Sequence, residues 1–245
     1  VIKILIIGSA GFIGSNTYKN WAESNKYNVW GADVVPCPTQ AQFIEIDAES
    51  PDFAAIFAGQ SFDACLNCSG AAQVGQSFEQ PQRDYELNTR NVFAILEAIR
   101  LHCPDCKFIN LSSAAVYGNP PAMPVLETMP LRPLSPYGYH KKMAEDICLS
   151  FAQNFGLKTC ALRIFSAFGE GLRKQIFWDI VQKAAKNADK IELWGTGDET
   201  RDFIYIQDLI AVFDCILSGA AFDGEAINVG SGVEISIRHA AQTLL

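Results

Sequence analysis

No run of apolar residues in this 245-residue chain approaches the length needed to cross a membrane. The first residues, Val1 to Ile7, lead straight into a motif, so no signal peptide is expected and the chain is read as cytoplasmic. Basic residues are in deficit: 19 Lys and Arg stand against 27 Asp and Glu, a formal charge of −8. Nucleic acids and anionic membranes want a basic face, so neither is expected as a partner. There is no internal repeat, no low-complexity segment and no long run of charge. What remains, at 49% hydrophobic and 19% charged residues, is an ordinary globular composition with enough chain for a sizeable core.

Eight cysteines need a reading. Cys65-x-x-Cys68 and Cys103-x-x-Cys106 have the spacing of metal knuckles. The first pair falls on the apolar run 62–68, read as a buried strand, where residues three apart point to opposite faces. The second straddles Pro104-Asp105. Buried thiols behave as small hydrophobes, so no metal is expected. A disulfide framework is equally unexpected in a cytoplasmic chain of this size.

The hydrophobic pattern alternates between short buried runs and longer helical stretches. Strands are predicted over 2–7, 28–34, 42–46, 62–68, 107–111 and 158–164. Helices are predicted from the glycine-rich turn to about residue 25, and over 51–58, 82–101 and 137–155. Such alternation means βαβ units: an α/β chain with a Rossmann-like, doubly wound parallel sheet. Beyond Arg163 the rhythm loosens to helices at 175–188 and 208–217, strands at 191–194, 203–206 and 226–229, and a last helical start. The boundary is placed near Phe165, dividing a doubly wound unit at 1–165 from a smaller mixed region at 166–245, with the boundaries interleaved.

Gly8-x-x-Gly11-x-x-Gly14 lies between the first strand and the first helix, with Phe12 and Ile13 inside it. Glycines there permit a tight turn, close approach of a pyrophosphate, and tight helix–sheet packing above a helix N-terminus. Asp33 follows Gly14 by 19 residues, at the end of the second strand, where a carboxylate can bond both ribose hydroxyls. It would repel a 2′-phosphate, so the cofactor is read as NAD. Asp47, with Ala48 beside it, follows the third strand and could accept from an adenine amino group; a helix-capping aspartate is equally common there. Tyr137 and Lys141 stand four apart and share one helical face. A lysine ammonium beside a phenol should lower the phenol's pKa, fitting it to move a proton near neutrality. Ser113, 24 positions upstream, could orient the same substrate oxygen.

Together with Arg163-Ile164-Phe165-Ser166-Ala167-Phe168-Gly169, Arg201-Asp202-Phe203-Ile204-Tyr205-Ile206-Gln207-Asp208 and Asn228-Val229-Gly230-Ser231-Gly232, these motifs give the chain a family likeness. From Ile2 to its end it resembles the extended short-chain dehydrogenase/reductases, the NAD-dependent epimerase/dehydratase family acting on nucleotide sugars. The resemblance implies that Ser113, Tyr137 and Lys141 are the catalytic set. It implies that Cys68, Ser69, Gly70, Asn88 and Phe165 line the NAD site, with Tyr137 and Lys141 also against the cofactor. It places Arg201 on the diphosphate of a nucleotide-sugar substrate, and it implies a homodimer through the helices at 82–101 and 137–155. Asn67-Cys68-Ser69-Gly70 replaces the more usual His-Leu-Ala-Ala and keeps the residues around Ser69 small. Ser166 stands at a substrate-contact position where many members carry asparagine. The chain stops at Leu245 inside what reads as a helix, where members continue, so part of the substrate lid is expected to be missing.

Dehydratases of this family carry an acidic pair after the catalytic hydroxyl, and the related decarboxylases keep a glutamate there. Ala114 and Ala115 occupy those positions and can supply neither acid nor base. What remains is C4 epimerisation through a transient 4-keto sugar with bound NAD. The alternatives are an NAD(P)H-dependent 4-keto-sugar reductase, a dinucleotide-binding protein without catalysis, and an oxidoreductase on a different alcohol. Arg201 favours a diphosphate substrate over the last of these.

Overall fold

Alternate residues of the first strand supply two different cores. In a computed structural model, which describes residues 1–186, 191–193 and 195–244, β1 (Lys3–Ile7) runs through the middle of a seven-stranded sheet. Ile4 and Ile6 pack on one face with Tyr18, Trp21, Leu66 and Phe213. Leu5 and Ile7 pack on the other with Phe57, Ile95, Leu96 and Cys148. A strand covered on both faces has to be apolar at every position, which is why this segment shows no polar alternation.

The elements in chain order are β1, α1 (Phe12–Ser24), β2 (Asn28–Asp33), β3 (Phe43–Glu45), α2 (Phe53–Gly59), β4 (Ala64–Asn67), α3 (Val74–Glu79) and α4 (Pro81–Tyr85). A π-turn at Glu86–Arg90 leads into α5 (Asn91–His102), then β5 (Lys107–Ser113) and a 3₁₀ turn at Ala114–Val116. They are followed by α6 (Pro136–Phe155), β6 (Thr159–Ile164), β7 (Ser166–Phe168) and α7 (Gln175–Lys186). Last come β8 (Thr200–Tyr205), α8 (Ile206–Gly219), β9 (Asp223–Val229), β10 (Glu234–Ser236) and α9 (Ile237–Leu244).

The large sheet has the order β3-β2-β1-β4-β5-β6-β9, and every pairing in it is parallel. The predicted doubly wound sheet is therefore present. Its strand order reverses between β1 and β4, where such folds open a crevice beyond the strand carboxyl ends. Helices α1 and α8 cover one face; α2, α5 and α6 cover the other. A three-stranded sheet, β10-β8-β7, stands apart with α7 and α9.

Several details differ from the sequence reading. The helix predicted over 82–101 is interrupted: α4 and α5 join through the π-turn, a feature that often marks function. The short elements α3, β7 and β10 were not anticipated. Residues Ile191–Leu193 of the strand predicted at 191–194 are irregular, and Trp194 lies outside the described residues. So do residues 187 and 188 of the helix predicted at 175–188. After Phe165 the chain builds the small sheet, but α8 and β9 return to the large unit.

Candidate active site

Two elements, β5 and α6, carry Ser113, Tyr137 and Lys141. Strand β5 delivers Ser113 at its end in extended conformation, and the Ser113 hydroxyl oxygen accepts the Ala115 N–H at 3.2 Å. Helix α6 is started by Pro136 at its first turn and by Ser135, whose hydroxyl accepts the Gly138 N–H at 3.1 Å. That start fixes Tyr137 in the first helical turn. Gly138 makes the approach possible, since a Cβ there would stand 2.7 Å from the Ala115 carbonyl oxygen. The Ser113 hydroxyl lies near enough to the Tyr137 phenol to act on it. One turn on, the Lys141 ammonium donates to the Leu111 carbonyl at 2.8 Å and lies 5.9 Å from the Tyr137 ring centre.

The electrostatics correct one expectation. The Tyr137 phenol is pushed up from its ordinary value, first by burial and also by the Asp84 carboxylate; the neighbouring Ser113 hydroxyl acts the other way. Lys141 is not among the groups that lower it. The lysine is itself brought down to about 8 by burial, against which Asp84, Cys68, Glu145 and Cys148 act upward. The ammonium donates to the Leu111 carbonyl and stands 5.9 Å from the Tyr137 ring centre, while burial of the phenol is the largest influence on it.

That shift has a measurable consequence for stability. Below about 8 both folded and unfolded chains hold the Lys141 proton, and the cost of burying the ammonium is present in full. Between about 8 and 10.5 the folded protein sheds a proton that the unfolded chain still holds, so stability rises with pH across that window. Relative to Lys141→Met, the wild type should gain up to about 3 kcal/mol across it. Urea midpoints for both proteins at the two ends of the window would test this; a difference that does not change with pH would refute the assignment.

The crevice beside β1 has the features of a dinucleotide site. Gly8 has φ of +82°, and a Cβ on it would meet the Ser69 nitrogen at 2.6 Å and the Cys68 carbonyl carbon at 2.7 Å. A Cβ on Gly14 would collide with the Gly8 carbonyl oxygen. No side chain caps α1 at Gly11, leaving Phe12, Ile13 and their neighbours at an open helix N-terminus. Asp33 is locked in place by the Ala10 N–H at 2.8 Å and the Val35 N–H at 3.0 Å, one on each oxygen. Asp47 is exposed, with Ala48 beside it, and accepts from the Glu49 and Ser50 N–H groups, so its turn-capping role is real. Across the crevice, Asn88 sits within the π-turn, 1% exposed, with neither amide atom partnered. Its oxygen presses on Gly70, where a Cβ would overlap it. An orphaned buried amide, a glycine cradle, an open helix end and a fixed carboxylate all fit NAD.

A model of the NAD dependent epimerase/dehydratase family matches residues 4–230. The chain belongs to that family. It is 27% identical to the UDP-glucose 4-epimerase of Streptomyces lividans, over 99% of this chain and 80% of the relative. It is 33% identical to UDP-arabinose 4-epimerase 1 of Arabidopsis thaliana, over 69% of this chain and 44% of that protein. The UDP-glucuronic acid 4-epimerase of Bacillus cereus, solved with UDP-glucuronic acid and NAD, superposes with a TM-score of 0.87 at 28% identity, over 99% of this chain and 82% of that one.

Phe165, Ser166 and Arg201 line a cavity of about 550 Å³ with Gln175, Ile176 and Phe203. Arg201 is exposed, and among the described residues its guanidinium donates to the adjacent Thr200 carbonyl, at 2.7 Å. The sequence reading missed the support behind the site. Glu145 and Arg163 form a buried ion pair at 2.8 Å, joined by Ser112, Tyr117 and Asn228. It also missed the contact between Asp84 and His140. Only the placing of Asp84 four residues before Asn88, and of His140 next to Lys141, hinted at either. Cys65, Cys103 and Cys106 are buried, and no group of three or more potential ligands that could hold a metal occurs among the described residues.

Proposed function

We propose that the protein is an NAD-dependent nucleotide-sugar epimerase that inverts C4 through a transient 4-keto sugar. The observation that carries this reading is that β5 and the first turns of α6 carry Ser113, Tyr137 and Lys141 to one place, with alanines where other branches need carboxylates. NAD supplies the reversible hydride chemistry at C4 when bound. Gly8, Gly11, Gly14, Phe12 and Ile13 hold its pyrophosphate; Asp33, Asp47 and Ala48 face its adenosine half. Cys68, Ser69, Gly70, Asn88 and Phe165 line the remainder. Tyr137 moves the C4 hydroxyl proton, Ser113 orients that oxygen, and Lys141 anchors the nicotinamide ribose. Arg201 takes the diphosphate, and Ser166 touches the sugar side of the same cavity. The setting is the cytoplasm, where the eight thiols stay free.

The deciding experiment incubates the protein with a panel of nucleotide hexoses and reads products by NMR. Interconversion of C4 epimers without added NADH supports the proposal. Consumption of a 4-keto sugar only with NADH would make it a reductase, and release of a 4-keto-6-deoxy product would overturn the argument from Ala114 and Ala115.

Two further expectations belong to this reading. With both oxygens of Asp33 fixed toward the loop, a 2′-phosphate meets a carboxylate that cannot turn away. NAD should therefore bind at least tenfold more tightly than NADP, about 1.4 kcal/mol. Equal affinities by calorimetric titration would remove Asp33 from the site. The second concerns assembly: α5 exposes Phe93 and Leu101, and α6 exposes Tyr139, Met143 and Phe155. These helices are proposed to pair two copies of the chain, since contiguous exposed apolar residues mark association surfaces. Sedimentation of the purified protein should show a dimer at micromolar concentration; a clean monomer would argue against this pairing.

A further inference from the structure

The glycine-rich turn is held by a side chain from outside it. Gln40 lies in the loop between β2 and β3, and its amide meets Ser9 twice. The Ser9 hydroxyl donates to Oε1 at 2.9 Å, and Nε2 donates to the Ser9 main-chain carbonyl at 3.0 Å. Ser9 is fully buried and Gln40 half-buried. The room for this contact comes from Gly31 in β2. A Cβ there would overlap Oε1 of Gln40 and stand 2.7 Å from the Ser9 hydroxyl oxygen. Gly31 is buried in the sheet, paired with Ile6 of β1 and Phe43 of β3. Glycine weakens the interior of a strand, and a common reason for its presence is the close approach of another group. Here that group is the Gln40 amide.

One peptide unit is thereby gripped at both ends. The Ser9 carbonyl and the Ala10 N–H belong to the same planar group and, across a trans peptide bond, point in opposite directions. Gln40 Nε2 donates to the carbonyl, while the Ala10 N–H donates to Asp33 Oδ2 at 2.8 Å. A plane held at both ends cannot rotate without breaking one of the holds. This one lies between Gly8 and Gly11, directly before α1. Turned over, it would present an oxygen to the Asp33 carboxylate and release that side chain from its place.

We propose that Gln40 is a positioning residue for the dinucleotide: its amide and the Asp33 carboxylate together fix the Ser9–Ala10 peptide, and position 31 is a glycine so that the amide can reach it. The inference rests on the reading of the crevice as the NAD site and not on which reaction the protein catalyses. A turn fixed in this way needs no ordering when the cofactor binds, which raises affinity without adding a contact.

The test measures NAD affinity by calorimetric titration, and main-chain hydrogen exchange by NMR without NAD, in the wild type, Gln40→Ala, Gly31→Ala and the double variant. Gln40→Ala removes two hydrogen bonds and should weaken NAD binding by about tenfold. Its Ala10 amide should exchange faster, while the amides of β1 keep their protection. Gly31→Ala expels the same side-chain amide and should produce both effects. Joined with Gln40→Ala it should add little, because the group that its methyl displaces is already gone. Effects that sum in the double variant overturn the proposal, as does wild-type NAD affinity in Gln40→Ala. Protection lost across β1 as well as at Ala10 also overturns it, since Gln40 would then be supporting the sheet and not the turn. Should Gln40→Ala fail to fold, Gln40→Glu takes its place. It keeps the length and still accepts from the Ser9 hydroxyl, but a carboxylate cannot donate to the Ser9 carbonyl, and the same two readings decide. A wild type that does not bind NAD removes the cofactor reading, whereas one that binds it indifferently to Gln40 removes only this inference. The expected pattern with no epimerisation of any nucleotide sugar would sink the functional reading and spare this one.

Discussion

Tyr137→Phe should lower turnover by ~10²–10⁴-fold, the usual contribution of a positioned acid–base group, and leave NAD affinity nearly unchanged. The reasoning starts from what phenylalanine removes. Ring volume is kept, so the packing of the first turn of α6 against the Ala115 carbonyl survives. What disappears is the hydroxyl beside Ser113. Without it, Ser113 can still orient an oxygen but nothing beside it can take or return the proton. Because burial and Asp84 hold the phenol above its ordinary value, the resting residue is protonated and ready to donate. Steady-state kinetics with NAD affinity measured separately would separate the roles. A variant keeping more than about a tenth of wild-type turnover would mean that the proton moves by another route.

How far the sequence carried that argument can be seen residue by residue. The elements that carry the glycine triplet, Asp33, Ser113, Tyr137 and Lys141 were legible because each is local: a strand, a tight turn, one helical face. The apolar run of β1 was legible because burial on both faces leaves no choice of residue. Asp84 and His140 are 56 positions apart and meet only because α4 packs on α6. No local pattern announces such a pair. The direction of the Tyr137 shift was missed for the same reason, since desolvation is a property of everything packed around the phenol. The π-turn escaped because one extra residue in a helical pattern leaves the apolar periodicity of Val92, Ile95, Leu96 and Ile99 intact. Strands β7 and β10, three residues each, are too short for an alternation to register.

Breaking the Glu145–Arg163 pair should cost the fold more than any other single change considered. Arg163 is 5% exposed and Glu145 6%. The guanidinium reaches both carboxylate oxygens, at 2.8 to 3.2 Å, and also donates to the Tyr117 hydroxyl at 2.7 Å and the Glu127 carbonyl at 3.2 Å. Tyr117 passes the connection to Asn228 at 2.7 Å. In this way β5, β6, β9 and α6 are tied together directly behind Ser113. Arg163→Met would leave the Glu145 carboxylate buried with Ser112 as its one remaining partner, and uncompensated buried charges of this kind typically cost 3–5 kcal/mol. The pair as a whole is a different matter, because desolvating two ions consumes most of what their attraction returns. Replacing both, as Arg163→Met with Glu145→Leu, should therefore recover much of the loss. Urea unfolding of the wild type, the two single variants and the double variant gives the comparison. Single variants each losing less than about 1 kcal/mol would place this pair with the weak surface bridges. The double variant should fold yet remain a poor enzyme. Without Glu145 the Ser112 hydroxyl loses its acceptor, and the strand end that aims Ser113 at Tyr137 is no longer pinned from below.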